Sequence, residues 1–175
     1  MATTYTLISS NVLSSSAASV TFSSIPSTYT DLVLKASCRI ADAGGTNTVD
    51  YTKWQVVLNG SSTHSRTNLI GNGASASSER ATSEGVLLTI GSTQSDGSTA
   101  NTFANFELYI PNYASTTNKQ MSAFGVSEQN GTTAFISSGA HLFQTSTAIS
   151  SLTIYQNFGN AAANSSFYLY GIKNS

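Results

Sequence analysis

Two histidines, one cysteine and eight carboxylates are the whole supply of acid–base, thiol and metal-binding side chains in this 175-residue sequence. Acyl transfer by a serine triad needs a nucleophile on a strained turn beside an oriented imidazole. Serine is abundant, but no G-x-S-x-G occurs and the only imidazoles are His64 and His141. His64 falls in a long polar stretch and His141 precedes Leu142 and Phe143, so each reads as a surface or hydrogen-bonded histidine. Glycoside hydrolysis needs two carboxylates across one cleft. The acids Asp31, Asp42, Asp50, Glu79, Glu84, Asp96, Glu107 and Glu128 are dispersed. Only Glu107 falls inside a clear strand pattern, on the side it shares with Phe103, Asn105 and Tyr109. A hydrolase site built between subunits would have to use it.

Metal and phosphate chemistry is equally thin. Structural zinc takes four Cys or His ligands at short spacings, which this inventory cannot supply. Asp42 and Asp50 flank a glycine-containing loop but make no acid-dense calcium loop. A phosphate-cradling glycine loop followed by Lys-Ser/Thr is also missing. The expectation is a chain that is not an enzyme, with no catalytic residue, no cofactor and no metal.

The seven basic residues, Lys35, Arg39, Lys53, Arg66, Arg80, Lys119 and Lys173, are scattered singly around a net charge of −1. Nucleic acid is held by clustered Lys and Arg, so no nucleic-acid partner is expected. Nor is there a basic face for an anionic membrane, an apolar stretch of spanning length, or an N-terminal targeting pattern. Cys38 is the only cysteine and falls on the apolar side of a strand pattern. That excludes an intrachain disulfide and fits folding in a reducing cytoplasm. Charged residues make up 9% of the chain, against about 25% in an average soluble domain. Ser, Thr, Asn and Gly take their place. Such short polar side chains lose little rotamer freedom when a second subunit covers them.

The elements that must position these groups are strands. Alternation of period two recurs, and helical periodicity does not. Leu32, Leu34, Ala36, Cys38 and Ile40 share one side of a run, with Lys35, Ser37 and Arg39 on the other. Trp54, Val56 and Leu58 follow, closed by the turn dipeptide Asn59-Gly60. Val86, Leu88 and Ile90 form a third run. Ala104, Phe106, Leu108 and Ile110 form a fourth, stopped by Pro111. Weaker runs lie at 121–127, 133–137, 150–156 and 166–173, with others at 5–8 and 19–23. The spacing predicts an all-β, antiparallel, jelly-roll-like β-sandwich of about eight to ten strands. Residues 19–175 make that one domain, and residues 1–18 are either an arm or its first strand. Trp54, Leu34, Phe106 and Leu108 are the expected inter-sheet core.

Two features point to contacts. Ser61 to Glu84 reads as a 24-residue loop, long enough to expect it against a partner, with Leu69 and Ile70 as anchors. Phe103, Tyr109, Tyr168 and Tyr170 fall on strand sides opposite the core, where amphipathic rings suit interfaces or sugar stacking. These six residues are the candidate subunit-contact set.

Ser19-Val-Thr-Phe-Ser-Ser-Ile-Pro-Ser-Thr-Tyr-Thr-Asp-Leu-Val-Leu resembles a family of small bacteriophage and prophage structural proteins, often labelled tail fibre or virion proteins. Further landmarks follow in order: Asn68-Leu-Ile-Gly-Asn-Gly, Ile110-Pro-Asn-Tyr-Ala-Ser-Thr-Thr-Asn-Lys, Thr147-Ala-Ile-Ser-Ser-Leu-Thr-Ile and Phe167-Tyr-Leu-Tyr-Gly-Ile-Lys-Asn-Ser. Where the family pattern leads one to expect an aromatic–basic pair after a glycine, this chain has Gly139-Ala-His141-Leu-Phe143-Gln144. The resemblance implies a β-sandwich, a place in the virion and a trimeric state, and it brings no catalytic residues.

The functional expectation is a structural component of a phage particle, a capsid decoration, vertex or tail-fibre subunit made in the host cytoplasm. Its partners are copies of itself, a trimer first, and other virion proteins. The alternative is a module that binds host-surface glycans, and an inter-subunit hydrolase ranks third.

Overall fold

Alternation of side chains along the clearest apolar runs makes them strands, and the weaker patterns join them through pairing. The structure is a computed structural model that describes residues 4–41, 54–61, 64–84, 86–88, 99–128, 134–156 and 159–173. Among these residues lie fourteen strands and no helix: β1 (Tyr5–Val12), β2 (Ser19–Phe22), β3 (Asp31–Cys38), β4 (Ile40–Ala41), β5 (Trp54–Leu58), β6 (His64–Gly71), β7 (Ala76–Glu84), β8 (Val86–Leu88), β9 (Ala104–Ile110), β10 (Lys119–Ser127), β11 (Phe135–Phe143), β12 (Leu152–Gln156), β13 (Asn160–Ala161) and β14 (Ser166–Ile172). Eight form one sheet in the order β1-β14-β3-β9-β10-β11-β6-β7. Four form a second, β2-β12-β5-β8, while β13 and β4 make a two-stranded ribbon. The pairings are antiparallel, and the two main sheets pack as a β-sandwich of unequal halves.

The core fills the space between them. Leu34 stands opposite Leu169 on one side and Leu108 on the other, and all three are fully buried. From the narrow sheet come Val20, Phe22, Val56, Leu58, Leu152 and Ile154. Trp54 joins the layers: its ring centroid lies 6.4 Å from that of Phe106 and 5.9 Å from that of Phe167. Each such side chain contributes about 1.5–3 kcal/mol on leaving water. Cys38 is buried among them, and burial pushes its thiol pKa up, which keeps it protonated and inert.

Turns and crossings use the residues expected of them. Asn59 (φ 52°) and Gly60 (φ 72°) close β5 in the left-handed region that Asn and Gly tolerate. The Asn59 side chain also donates to Ala148 O at 2.8 Å and accepts from Ser150 N at 2.8 Å, tying the turn to the approach of β12. Asp31 accepts from Tyr109 Oη at 2.8 Å and from Asn112 N at 2.9 Å, which fixes the end of β9. Tyr113 donates to Pro26 O. Gly171 lets the Tyr29 ring lie against β14, where a Cβ would collide with it. The buried Lys119 ammonium donates to Ser115 O, Thr117 O and Thr145 O, clamping two loops at one end of the sandwich.

Residues 5–12 are the first strand, not a free arm: β1 pairs with β14 at the sheet edge, with a bulge between Leu7 and Ser9. The interval from Ser61 to Glu84, expected as a loop, is instead mostly the hairpin β6–β7. Asn72 turns it, accepting from Ala74 N and Ser75 N through its side chain, with Gly73 at φ 82°. The inward residues of β6 are His64, Arg66, Asn68 and, near its end, Ile70, so the strand carries no repeated apolar alternation for hydropathy to detect. Leu69 and Ile70 do not act as one anchor. Leu69 is 63% exposed on the outer side, while Ile70 is half-buried on the inner side.

Two changes test this architecture. Phe106→Ala should lower stability by about 3–5 kcal/mol in denaturant melts, since it removes a ring that packs on Trp54. Deleting residues 75–83 should lower the melting temperature measured by circular dichroism, because β6 loses its ladder partner and its buried polar side chains lose their cover.

Candidate assembly face

Residues directly opposite each other in neighbouring strands point to the same side, so register alone gives the rows of the outer face. One row runs Ser10, Tyr168, Lys35, Glu107, Phe124, Ser138, Leu69 from β1 to β6. The next reads Leu7, Tyr170, Val33, Tyr109, Ser122, Ala140, Thr67. On the other side lies Val12, Ser166, Ser37, Asn105, Val126, Ile136. The exposed large hydrophobic residues among those described are Tyr5 (49%), Leu7 (50%), Val12 (60%), Leu69 (63%), Phe124 (49%) and Ile136 (52%). All six lie on this one face.

Aromatic rings concentrate toward the β1 end. Tyr5 meets Tyr170 edge-on at 6.2 Å, and Tyr168 and Tyr170 stack at 6.5 Å between centroids. Charge in the middle of the face is one ion pair, Lys35 Nζ to Glu107 Oε2 at 2.9 Å. The hydrogen bond to Glu107 and its charge raise the Lys35 pKa. Both side chains are about half exposed (51% and 46%), so water screens the pair and it adds little to the stability of a lone chain. Between this pair, Asn105 and Phe124 lies an open groove of about 450 Å³. Asp31 belongs to the same side but is buried, where its hydrogen bond raises the Tyr109 pKa.

Of the contact residues read from the sequence, Leu69, Tyr109, Tyr168 and Tyr170 meet on this face. Phe103 lies just before β9, half-buried, and Ile70 points to the other side. Sequence reasoning missed Tyr5, Leu7, Val12, Phe124 and Ile136. For Phe124 a signal existed: over residues 123–126 of β10, Ala123 and Gly125 point inward and Phe124 and Val126 outward, so in this stretch the larger residues face away from the core.

The inner face changes character along the strand order. At β11 and β6 it becomes polar, with His141, Ser137, His64, Arg66 and Asn68 all buried. Glu79 of β7 accepts from Arg66 Nε at 3.3 Å and from Asn68 Nδ2 at 3.0 Å. The His64 ring lies 4.5 Å from that of Phe143. Neither histidine is at the surface, which removes the first of the two alternatives in the sequence reading. Gly139 makes this layer possible, since a Cβ there would collide with Asn68 Oδ1 and His141 Nε2. No three His, Cys, Asp or Glu among the described residues converge to hold a metal ion. Neither ring nitrogen of His141 reaches a hydrogen-bond partner among the described residues. Burial first, then His64 and Arg66, push its pKa down to about 4.

That shift has a sign. The unfolded chain takes up a proton on His141 near pH 6.5 and the folded chain only near pH 4. Stability therefore falls as pH drops through that window and levels off below it, a loss of roughly 3 kcal/mol from this group. His141→Leu should flatten this part of the profile in urea melts taken from neutral to acid pH. Equal acid sensitivity in both chains would contradict it. Compared with family models, with curated proteins and with solved structures, the chain matches none of them.

Proposed function

We propose that this chain is a structural, non-enzymatic subunit of a bacteriophage particle, a capsid decoration, vertex or tail-fibre protein that works through subunit contacts. One observation carries the reading: the exposed large hydrophobic side chains share the outer face of the wide sheet, with a single central ion pair. Singly scattered apolar residues are normal on a monomer, whereas one face that gathers them marks a contact surface. Eight strands give a face about 38 Å wide and about 24 Å along the strands, or about 900 Å², in the range of what one partner contributes to a stable interface. The sparse charge of the chain and the ordered landmarks that resemble those of virion proteins add the context of a particle.

Assembly is tested first. The intact chain should self-associate at micromolar concentration in light scattering, and Phe124→Glu, a charge placed at the centre of the face, should weaken this at least about tenfold. Placement is tested next, by mass spectrometry and imaging of purified particles, which should contain many copies. Particles that lack the chain would remove the virion reading.

A further inference from the structure

Lys35 and Glu107 stand opposite each other on β3 and β9, the third and fourth strands of the wide sheet. Covered by an apolar partner, the pair would leave water with ammonium hydrogens and carboxylate lone pairs unfilled, a cost that one ion pair does not offset. A second copy of the same face supplies the missing partners. Rotation by a twofold axis lying along the strands, midway between β3 and β9, places β9 of the copy over β3. It also places β10 over β14 and β11 over β1. Such a rotation preserves position along the strands, so each row meets the same row of the copy.

The register then gives the contacts. Lys35 faces Glu107 of the second copy, and Glu107 faces its Lys35. Phe124 meets Tyr168, Val12 meets Ile136, Leu7 meets Ala140 and Ser10 meets Ser138. Apolar residues meet apolar or small ones, and no charge in these rows meets its like. Six overlapped strands are about 29 Å wide, and with about 24 Å of length they bury about 700 Å² per partner, close to the standard interface. The narrow sheet lies on the opposite side and does not obstruct this approach.

We propose that the chain pairs with a second copy, outer face to outer face, about this twofold axis, with Lys35 and Glu107 exchanging partners across the interface. The pairing rests on the assembly reading above and sharpens it: the self-complementary unit is two copies, where the resemblance implies three. Symmetry of this kind is isologous and closed, so the pair does not propagate into fibres through this face.

Charge reversal in the intact chain tests it by sedimentation. Wild type should run as a dimer. Lys35→Glu alone and Glu107→Lys alone each bring like charges together across the axis and should weaken pairing at least about tenfold. An equimolar mixture of the two variants should restore a dimer, as should the double exchange in one chain. Recovery by mixing also shows that each variant is folded. A wild-type trimer or monomer, or single variants that dimerise as wild type does, would overturn the proposal. If those variants dimerise normally while Phe124→Glu abolishes assembly, only the twofold register fails. If Phe124→Glu leaves assembly unchanged, the contact-face reading itself fails.

Discussion

An eight-stranded sheet lies over a four-stranded one, and the apolar residues of the chain serve the two unequally. Trp54 and its neighbours on β5, β12 and β2 pack on β14, β3 and β9, where aliphatic and aromatic side chains interlock. Farther along the strand order the inner face turns to Arg66, Asn68, His64 and His141. A layer of this kind is held by directional bonds, such as those converging on Glu79, and tolerates little rearrangement. As in any two-layer sandwich, the outer side of the wide sheet has no second layer over it among the described residues, and here that side carries the exposed large apolar residues.

The sequence made half of this legible. Where inward residues are aliphatic, as in β3, β5, β9 and β14, alternation marks the strand, its faces and its core residues. Local chemistry was equally readable: Asn59-Gly60 as a turn, Pro111 as the end of a strand, Cys38 on the apolar side of a strand. The hairpin β6–β7 escaped because its inward residues are polar, and a polar strand buried by its neighbours has the hydropathy of a loop.

The candidate face escaped for a different reason. Tyr109, Tyr168 and Tyr170 stand out as aromatic residues on polar sides. Their meeting with Phe124, Leu69 and Ile136 is set by register between strands far apart in sequence. No local pattern contains that information. The same holds for His141 and Asn68, brought together across β11 and β6 only by the pairing of Gly139 with Asn68.

The edge pairing of β1 has a kinetic meaning. Tyr5 meets Ile172 and Val12 meets Ser166, while β14 sits between β1 and β3 as the strand both depend on. During synthesis β1 and β3 leave the ribosome long before β14 does, and neither can complete its ladder until then. Closing this span is one of the long-range pairings that place the chain among slow, non-locally wired folders. Through that interval β3 lacks its β14 neighbour, and an unpaired strand edge in an incomplete sheet is the kind of surface that favours aggregation.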